Sequence, residues 1–209
     1  MIEIKFWLET GVSIATAIGG LFLGWYTVRK IVHKVRGEWC KIQQKKDIDV
    51  NRTIQDQLHE LRYESDAGRT KLFQYHNGSS FASGNSMKKM SMTHESCHPG
   101  MVPTFKGNHD QVLSLFVDML ELLSEDKSTL IVVNEMKDSY FKSYLQSNHV
   151  LMFSILPIRN TKGGQIGCIL CEWCGWSFID KIYEEGFFAS FKVARNKIQY
   201  LLITEKKGR

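Results

Sequence analysis

The chain has 209 residues, of which 43% are hydrophobic and 23% are charged, with only three prolines. This composition excludes a disordered chain, and the length allows one ordinary globular domain plus an additional element. The formal net charge of +5 is small. The basic residues do not gather into the patch that nucleic-acid binding requires, so no nucleic-acid partner is predicted.

The first predicted element is a transmembrane anchor within residues 1–28. Residues 10–28 carry no charge, and a helix of that length spans about 28 Å, close to the roughly 30 Å of a bilayer's hydrocarbon core. Trp7 and Trp25 near its two ends are typical of membrane interfaces. The basic residues that follow indicate a stop-transfer sequence rather than a cleaved signal peptide. A single-pass membrane protein is therefore predicted.

Small residues recur along this helix at the spacing that lets two membrane helices approach closely. They form two rows, Gly11, Ala15 and Gly19 in one and Gly20 and Gly24 in the other. We expect these rows to favour helix association, although glycine and alanine are also simply common in membrane helices.

The charges after the anchor predict its orientation. Seven of the 27 Lys and Arg residues lie between Arg29 and Lys46, and basic flanks stay on the cytoplasmic side. The five cysteines agree, because an odd number with three inside seven residues suits a reducing compartment. The prediction is an inner (cytoplasmic) membrane protein with its C-terminal domain in the cytoplasm.

Residues 29–66 are predicted to form a basic helical connector. Apolar residues fall on one face of its first half, at Ile31, Val32, Val35, Trp39 and Ile42, and a coiled-coil spacing follows at Ile54, Leu58 and Leu61. The polar stretch between them leaves one helix or two open. A basic amphipathic helix lying on lipid is the alternative for the first half. We expect the connector to contribute to a homodimer or homo-oligomer.

Residues 67–205 are predicted to form an α+β domain, followed by a basic tail at 206–209. The predicted order is a strand at 70–76, a turn at 76–78, a second strand around 90–94, a helix at 112–123, a strand at 129–133, a helix at 140–146, a hairpin of strands 150–158 and 165–173, and a helix at 178–203. This order predicts an antiparallel sheet flanked by helices.

Two segments of the domain resemble GAF domains, the small sensor fold related to PAS: DAGRTKLFQYHNG at 66–78 and LPIRNTKGGQIGCIL at 156–170. The resemblance covers about residues 56–202. It implies a domain that binds a small molecule or a protein partner, is not an enzyme, and dimerises through terminal helices. The chain lacks the Asn-Lys…Phe-Asp-Glu pattern of cyclic-nucleotide-binding members and a cysteine placed for a bilin.

The arrangement of anchor, connector and α+β domain also resembles the holins of T-even-type phages. That resemblance concerns architecture alone, which is a weak basis for function. It implies an alternative role as a lysis protein that oligomerises in the cytoplasmic membrane. In those holins the large domain faces the periplasm, whereas the charges of this chain predict the cytoplasm.

In a GAF-like fold, ten residues would fall on or near the sheet face that forms the ligand pocket. They combine aromatic, methionine and polar side chains, which suits a small-molecule site. An ordinary core with satisfied polar edges is the alternative. The ten are Tyr75, His76, Asn77, Met90, Met92, His94, Glu135, Tyr140, His149 and Trp173.

Two patterns could hold a metal. His94, Glu95 and His98 form an H-E-x-x-H motif, which binds zinc only when a helix places both histidines on one face; alternation before the motif and Pro99-Gly100 after it predict a strand and a loop instead. Cys168, Cys171 and Cys174 fall in a predicted strand, with Cys171 on the opposite face from the other two. No cofactor, metal or catalytic residue is therefore predicted, and a metal-dependent enzyme is the third alternative.

Overall fold

The computed structural model describes residues 2–80, 84, 86–125, 129–175 and 187–206, with side chains described within these ranges from Gly24 onward except at Phe187, Glu205 and Lys206. The chain forms two compact units, Met1–Asp49 and Val50–Arg209. The predicted beginning of the last helix, at 178–186, and residues 207–209 of the predicted tail lie outside the described residues. The exposure of Gly11, Ala15, Gly19 and Gly20, on which the predicted association of membrane helices depends, is also outside the described part of the chain.

The first helix, α1, runs without a break from Ile2 to Glu64, so one helix replaces the two alternatives that the sequence left open. Its length follows from the absence of proline and from many strong helix formers, Lys, Gln, Glu and Arg among them. Among the residues whose side chains are described, no helix is long and apolar enough to cross a membrane.

The second unit is built on one six-stranded sheet in the order β3-β2-β1-β6-β5-β4, and every pair of neighbours is antiparallel. The α+β prediction is confirmed. Its strands are β1 (Arg69–Ser80), β2 (Ser86–Cys97), β3 (Gln111–Val112), β4 (Ile131–Val132), β5 (Met152–Arg159) and β6 (Gln165–Trp173).

Helices cover both faces of the sheet, and each face has its own core. The end of α1 and the last helix, α4 (Phe187–Lys206), pack on one face around Trp173 and Phe191, which we call the helix-side core. The other face carries α2 (Val117–Ser124) and α3 (Tyr140–Ser147), packed around Phe73 and Phe153, which we call the loop-side core. The alternation of β6 residues between these cores follows from the two-residue period of a strand.

The coiled-coil interpretation of Ile54, Leu58 and Leu61 is corrected by the structure. These side chains are at most 1% exposed and belong to the helix-side core. Because they pack on the sheet of their own chain, they are not available as a seam for a second chain. The spacing of a seam and the spacing of a helix face that covers a sheet are the same over two turns.

Two local predictions are wrong. The turn expected at 76–78 does not form, because β1 continues to Ser80 and pairs Asn77 with Lys88. The single helix expected at 112–123 begins only at Val117, because Phe116 has a non-helical backbone conformation and its side chain is 1% exposed in the loop-side core. Burial of one large side chain outweighs the helical propensity of the segment there.

A β-bulge in β2 changes which residues share a face. Phe73 pairs with Met92 and Leu72 pairs with His94, so Thr93 is the additional residue. A bulge reverses the alternation of side chains beyond it. Met92 therefore lies in the loop-side core, whereas His94 is turned to the opposite face beside Leu72.

Candidate functional site

A cavity of about 610 Å³ lies beside the loop-side core, between the outer halves of β1 and β2, the segment after β3, and the β5–β6 turn. We call it the first cavity. Its volume is within the usual range for small-molecule sites. It is lined by Tyr75, His76, Asn77, Ser86, Lys88, Val112, Leu113, Ser114, Leu120, Gly164, Gln165 and Ile166.

Tyr75 forms part of the wall of the first cavity. Its side chain is half-buried, and its Oη accepts a hydrogen bond of 2.9 Å from Nε2 of Gln165. Burial raises the pKa of the Tyr75 phenol, and a hydrogen bond with Cys168 adds to the increase. The hydroxyl is therefore protonated at neutral pH, which makes it a neutral hydrogen-bonding group and not a base.

The opposite wall is polar and cationic. Lys88 and Ser86 come from β2, and among the described residues that line the first cavity none is Asp or Glu. The neighbouring residues 81–83 and 85, which lie outside the described part, are Phe, Ala, Ser and Asn and add no acid to the sequence of this region. A cavity with a cation and no carboxylate favours an anionic ligand.

His76 also lines the first cavity, and an acidic residue lies near it. Its Nε2 is 2.9 Å from Oγ of Ser91 and 3.7 Å from Oδ1 of Asp110, and Nζ of Lys89 is 3.9 Å from the same carboxylate oxygen. Asp110 is thus shared between His76 and Lys89. Lys88, the next residue along β2 before Lys89, is the lysine among the described residues that line the first cavity.

A smaller cavity of about 440 Å³ lies between residues 102–108 and the end of α3. We call it the second cavity. Arg69, Asn108, Tyr144, Asn148 and His149 are among its lining residues. The Arg69 guanidinium already donates to the carbonyl oxygens of Val102 and Asn148. Its hydrogen bonds therefore connect the two segments that line the second cavity.

Beside the second cavity the sheet buries a cluster of charges, Arg69, Lys71 and Glu172. Nε of Arg69 lies 2.8 Å from Oε2 of Glu172, and Nζ of Lys71 lies 2.6 Å from Oε1. The three side chains are at most 4% exposed. Lys71 also donates to Oη of Tyr144 at 3.3 Å, and burial raises the pKa of that phenol. Each oxygen of the Glu172 carboxylate therefore binds its own buried cation.

This cluster was not predicted from the sequence, although the sequence contains a signal for it. Arg69 and Lys71 are two residues apart in the apolar half of β1, so they share one face of the sheet. Glu172 lies in the apolar run of β6 between Cys171 and Trp173. Opposite charges at the inward positions of two strands are expected only when those strands pair. The local pattern of a strand does not specify its partner or register, so the sequence could not bring these charges together.

The ten predicted pocket residues do not converge on one site. Three of them, Tyr75, His76 and Asn77, line the first cavity, and His149 lines the second. Met90 and Met92 are buried in the loop-side core, at 2% and 0% exposure. These six therefore divide among the first cavity, the second cavity and the loop-side core.

The other four predicted residues lie elsewhere. Trp173 is buried in the helix-side core, where its Nε1 donates to the carbonyl oxygen of Ser65 at 3.0 Å. The bulge places His94 on that face as well. Glu135 and Tyr140 are exposed, and the ring of Tyr140 packs edge-on against Phe116.

The histidine motif occupies a strand, as its sequence context predicted. His94 and Glu95 are successive residues of β2, so their side chains point to opposite faces, and His98 is exposed after the strand ends. Both oxygens of Glu95 accept from the backbone N–H of Thr104, and Oε1 also accepts from its hydroxyl. Across the described residues no group of three or more potential ligands surrounds a metal position.

The cysteines of β6 divide between the two cores as strand alternation predicts. Cys168 belongs to the loop-side core with Cys174 packed against it, and Cys171 belongs to the helix-side core. The prediction that Cys171 faces away from the other two is confirmed. The two buried thiols act as small apolar side chains.

In the native protein, a water-soluble maleimide is expected to modify Cys40 first and to leave Cys168 and Cys171 unmodified until the protein unfolds. Cys40 is exposed, whereas burial raises the pKa of the Cys168 thiol to about 12 and that of Cys171 well above its usual range. Because the thiolate is the reactive form, these thiols react slowly. Peptide mass spectrometry measures the order, and Cys40→Ser is the control. Equal rates for Cys40 and Cys168 would contradict the fold.

Solved structures share this fold. The GAF3 domain of Slr1393 from Synechocystis sp. PCC6803 is 12% identical with a TM-score of 0.56, over 75% of this chain and 95% of that domain. A phycocyanobilin-bound GAF domain from a cyanobacterial phytochrome is 12% identical with a TM-score of 0.55, over 81% and 96%.

The GAF domain region of a putative membrane protein from Geobacter sulfurreducens PCA is 10% identical with a TM-score of 0.52, over 76% of this chain and 96% of that region. No family model matches the sequence, and no curated protein matches it. At these identities the similarity establishes a GAF-like fold.

Proposed function

From a GAF-like fold as the premise, we propose that this chain is a membrane-anchored, non-enzymatic sensing module that binds a small organic anion in the first cavity. The observation that carries the proposal is a cavity of about 610 Å³ whose described lining residues include a lysine and no carboxylate. The fold contributes a weaker argument, because one fold serves many functions.

The lining of the first cavity divides into two parts that suit an amphipathic ligand. Lys88, Gln165 and Tyr75 provide an ammonium, an amide and a protonated hydroxyl for an anionic group. Leu113, Leu120 and Ile166 provide an apolar surface for the rest of the ligand. A few placed polar groups within an apolar lining are typical of small-molecule sites.

The solved GAF domains support a sensing role. The phytochrome domain is described as bound to phycocyanobilin, and the Geobacter domain as part of a putative membrane protein. For this chain we propose the same two properties in general terms, a small-molecule site and attachment to a membrane. The holin-type alternative has no such observation in its favour among the described residues.

The membrane anchor is the second part of the proposal. The uncharged residues 10–28 would cross the cytoplasmic membrane once, with the basic residues after Val28 and the sensing domain in the cytoplasm. Cys40 is the reporter for this orientation, because it is exposed and follows the anchor by twelve residues. We expect a membrane-impermeant maleimide to label Cys40 in lysed cells and not in intact cells. Labelling of Cys40 in intact cells would contradict this orientation and place the domain on the outer side of the membrane.

Ligand binding is tested with the full chain in detergent and matched pairs of probes, benzoate with benzamide and hexanoate with hexanamide. We expect the carboxylates to raise the thermal midpoint of the domain and the amides to have no effect, because only the carboxylates carry a charge. Lys88→Gln should weaken carboxylate binding about ten-fold, the effect of one charge-assisted hydrogen bond at a partly exposed site.

The control is Lys89→Gln, in which the lost ammonium interacts with Asp110 and does not line the first cavity. We expect this variant to bind carboxylates as the unchanged chain does. If both variants weakened carboxylate binding equally, the overall positive charge of the domain would be responsible and not the position of Lys88 in the cavity. Equal binding of amides and carboxylates would remove the proposal of an anionic ligand.

A further inference from the structure

The buried cluster of Arg69, Lys71 and Glu172 has charges that do not cancel. Two positive charges accompany the single negative charge of Glu172, and all three side chains are at most 4% exposed. Burying a charge is costly unless an opposite charge or hydrogen bonds compensate it. Because Arg69 also lines the second cavity, the excess positive charge lies beside space that a ligand can enter.

A further acid of this region, Glu95, is already engaged by the protein. Both of its oxygens accept from the backbone N–H of Thr104 at 3.0 Å, and Oε1 also accepts from the Thr104 hydroxyl at 2.7 Å. Glu95 does not line the second cavity, and neither Asp nor Glu occurs among the described residues that do. A negative charge that reaches Arg69 from this cavity therefore has to come from a ligand.

The Arg69 guanidinium keeps one N–H group for such a ligand. A guanidinium has five N–H groups. Four of them donate to acceptors of the protein, which are Oε2 of Glu172, the carbonyl oxygens of Val102 and Asn148, and Sγ of Cys174. Nη1, which donates to Val102, has a second N–H group without an acceptor among the described residues. An acceptor in the second cavity would complete the hydrogen bonding of Arg69.

The hydroxyl of Tyr144 supplies another donor. Tyr144 lines the second cavity, and its Oη accepts a hydrogen bond of 3.3 Å from Nζ of the buried Lys71. Burial raises the pKa of the phenol, so the hydroxyl keeps its proton. In the part of the chain that the structure describes, this hydroxyl donates no hydrogen bond. The ammonium that donates to its oxygen also strengthens the O–H group as a donor.

Two exposed residues at the mouth of the second cavity add a cation and an imidazole ring. Lys106 and His149 both line the cavity and are exposed. His149 has a φ of 57°, in the left-handed region that glycine usually occupies after the end of a helix. Keeping a histidine where glycine is favoured costs stability, which indicates a use for its ring. A ring nitrogen that donates to a ligand is such a use.

We infer that the second cavity binds a phosphate group, either free phosphate or a small phosphate monoester, between the cations Arg69 and Lys106. A phosphate monoester carries a charge of about −1.5 to −2 at neutral pH and three acceptor oxygens, which match two cations and the Tyr144 hydroxyl. The first cavity has one lysine among its described lining residues, which suits a carboxylate. The described lining residues of the two cavities do not overlap, so the phosphate site is additional to the proposed carboxylate site.

Isothermal titration calorimetry with the full chain in detergent, at constant ionic strength, tests for this site. The probes are inorganic phosphate and glycerol 3-phosphate, with glycerol as the uncharged match. Calorimetry detects binding directly, which is necessary because phosphate also stabilises proteins by exclusion from their surface. We expect saturable binding of at least one of the two phosphates and none of glycerol. The tighter of the two identifies the source, since a cavity of about 440 Å³ has room for an esterified group.

Lys106→Gln is expected to weaken phosphate binding about ten-fold, the effect of one charge-assisted hydrogen bond at a partly exposed site. The matched control is Lys137→Gln, because Lys137 is also exposed and lines neither cavity. His149→Gly is expected to weaken binding without lowering the thermal midpoint, since glycine suits the backbone at this position. A residue with a purely structural role would not separate binding from stability in this way.

Three results would overturn the phosphate site. The first is the absence of saturable binding by either phosphate. The second is equal weakening by Lys106→Gln and Lys137→Gln, which would make the overall positive charge of the domain responsible. The third is weakening by Lys88→Gln and not by Lys106→Gln, which would place phosphate in the first cavity. Carboxylate binding is measured with separate probes and is expected to persist in the Lys106→Gln variant, so loss of the phosphate site would leave the proposed function intact.

Discussion

Replacing Glu172 with glutamine is expected to lower the free energy of unfolding by about 3–5 kcal/mol, the usual cost of removing one partner from a buried ion pair. Glu172 has no exposed side-chain surface, and its two oxygens hold Nε of Arg69 at 2.8 Å and Nζ of Lys71 at 2.6 Å. Glutamine has nearly the same shape and still accepts one hydrogen bond. It leaves two cations in the interior without a counter-charge.

The effect is large because a domain has a total stability of only about 5–15 kcal/mol. Urea unfolding of the full chain in detergent, followed by the near-ultraviolet circular dichroism of the packed aromatic side chains, measures it. Adding Lys71→Met to Glu172→Gln is expected to restore part of the loss, because one unpaired cation is then removed. Such a recovery is the signature of coupling between two sites.

The control is the ion pair of Lys142 and Asp138 at 2.9 Å, in which the Asp138 side chain is fully exposed and the Lys142 side chain is 13% exposed. Asp138→Asn is expected to leave the unfolding midpoint nearly unchanged, because solvent screens an exposed pair. If Glu172→Gln were as mild as this control, the cluster would not be buried as the structure has it.

Leu58→Ala is expected to destabilise the domain by about 2–5 kcal/mol, the range for leucine-to-alanine changes in protein cores. Leu58 has no exposed surface and packs in the helix-side core together with Trp173 and Phe191. The control in the same helix is Tyr63→Ala, because Tyr63 is 75% exposed. Urea unfolding compares the two, and equal effects would contradict the packing of this part of α1 on the sheet.

The same packing predicts where the domain begins. A chain that starts at residue 67, the boundary expected from the sequence, loses Ile54, Leu58 and Leu61 from the core and is expected not to fold. A chain that starts at Val50 keeps all three. Limited proteolysis separates these outcomes, because an unfolded chain is cleaved throughout.

Much of the fold could be predicted because alternation along a strand and periodicity along a helix are local properties. Strand β6 has the predicted bounds of residues 165–173, and its cysteines face the predicted sides. The candidate site was predicted less well. A single additional residue, Thr93, turns His94 away from Met92, and its position depends on the register of β1 against β2, which no local pattern of β2 specifies.

By itself, the sequence determined the α+β class and a helical segment before the domain, because both follow from the spacing of apolar residues along single segments. The order of elements and the segments 66–78 and 156–170 carried the resemblance to GAF domains. Only the tertiary structure decided that the last turns of α1 belong to the domain core, that Arg69, Lys71 and Glu172 form a buried cluster, and that Tyr75 and Lys88 line one cavity. Those facts depend on which segments meet in space. The coiled-coil spacing of Ile54, Leu58 and Leu61 is also the spacing of a helix face that covers a sheet, and only the surface that lies against these residues distinguishes the two.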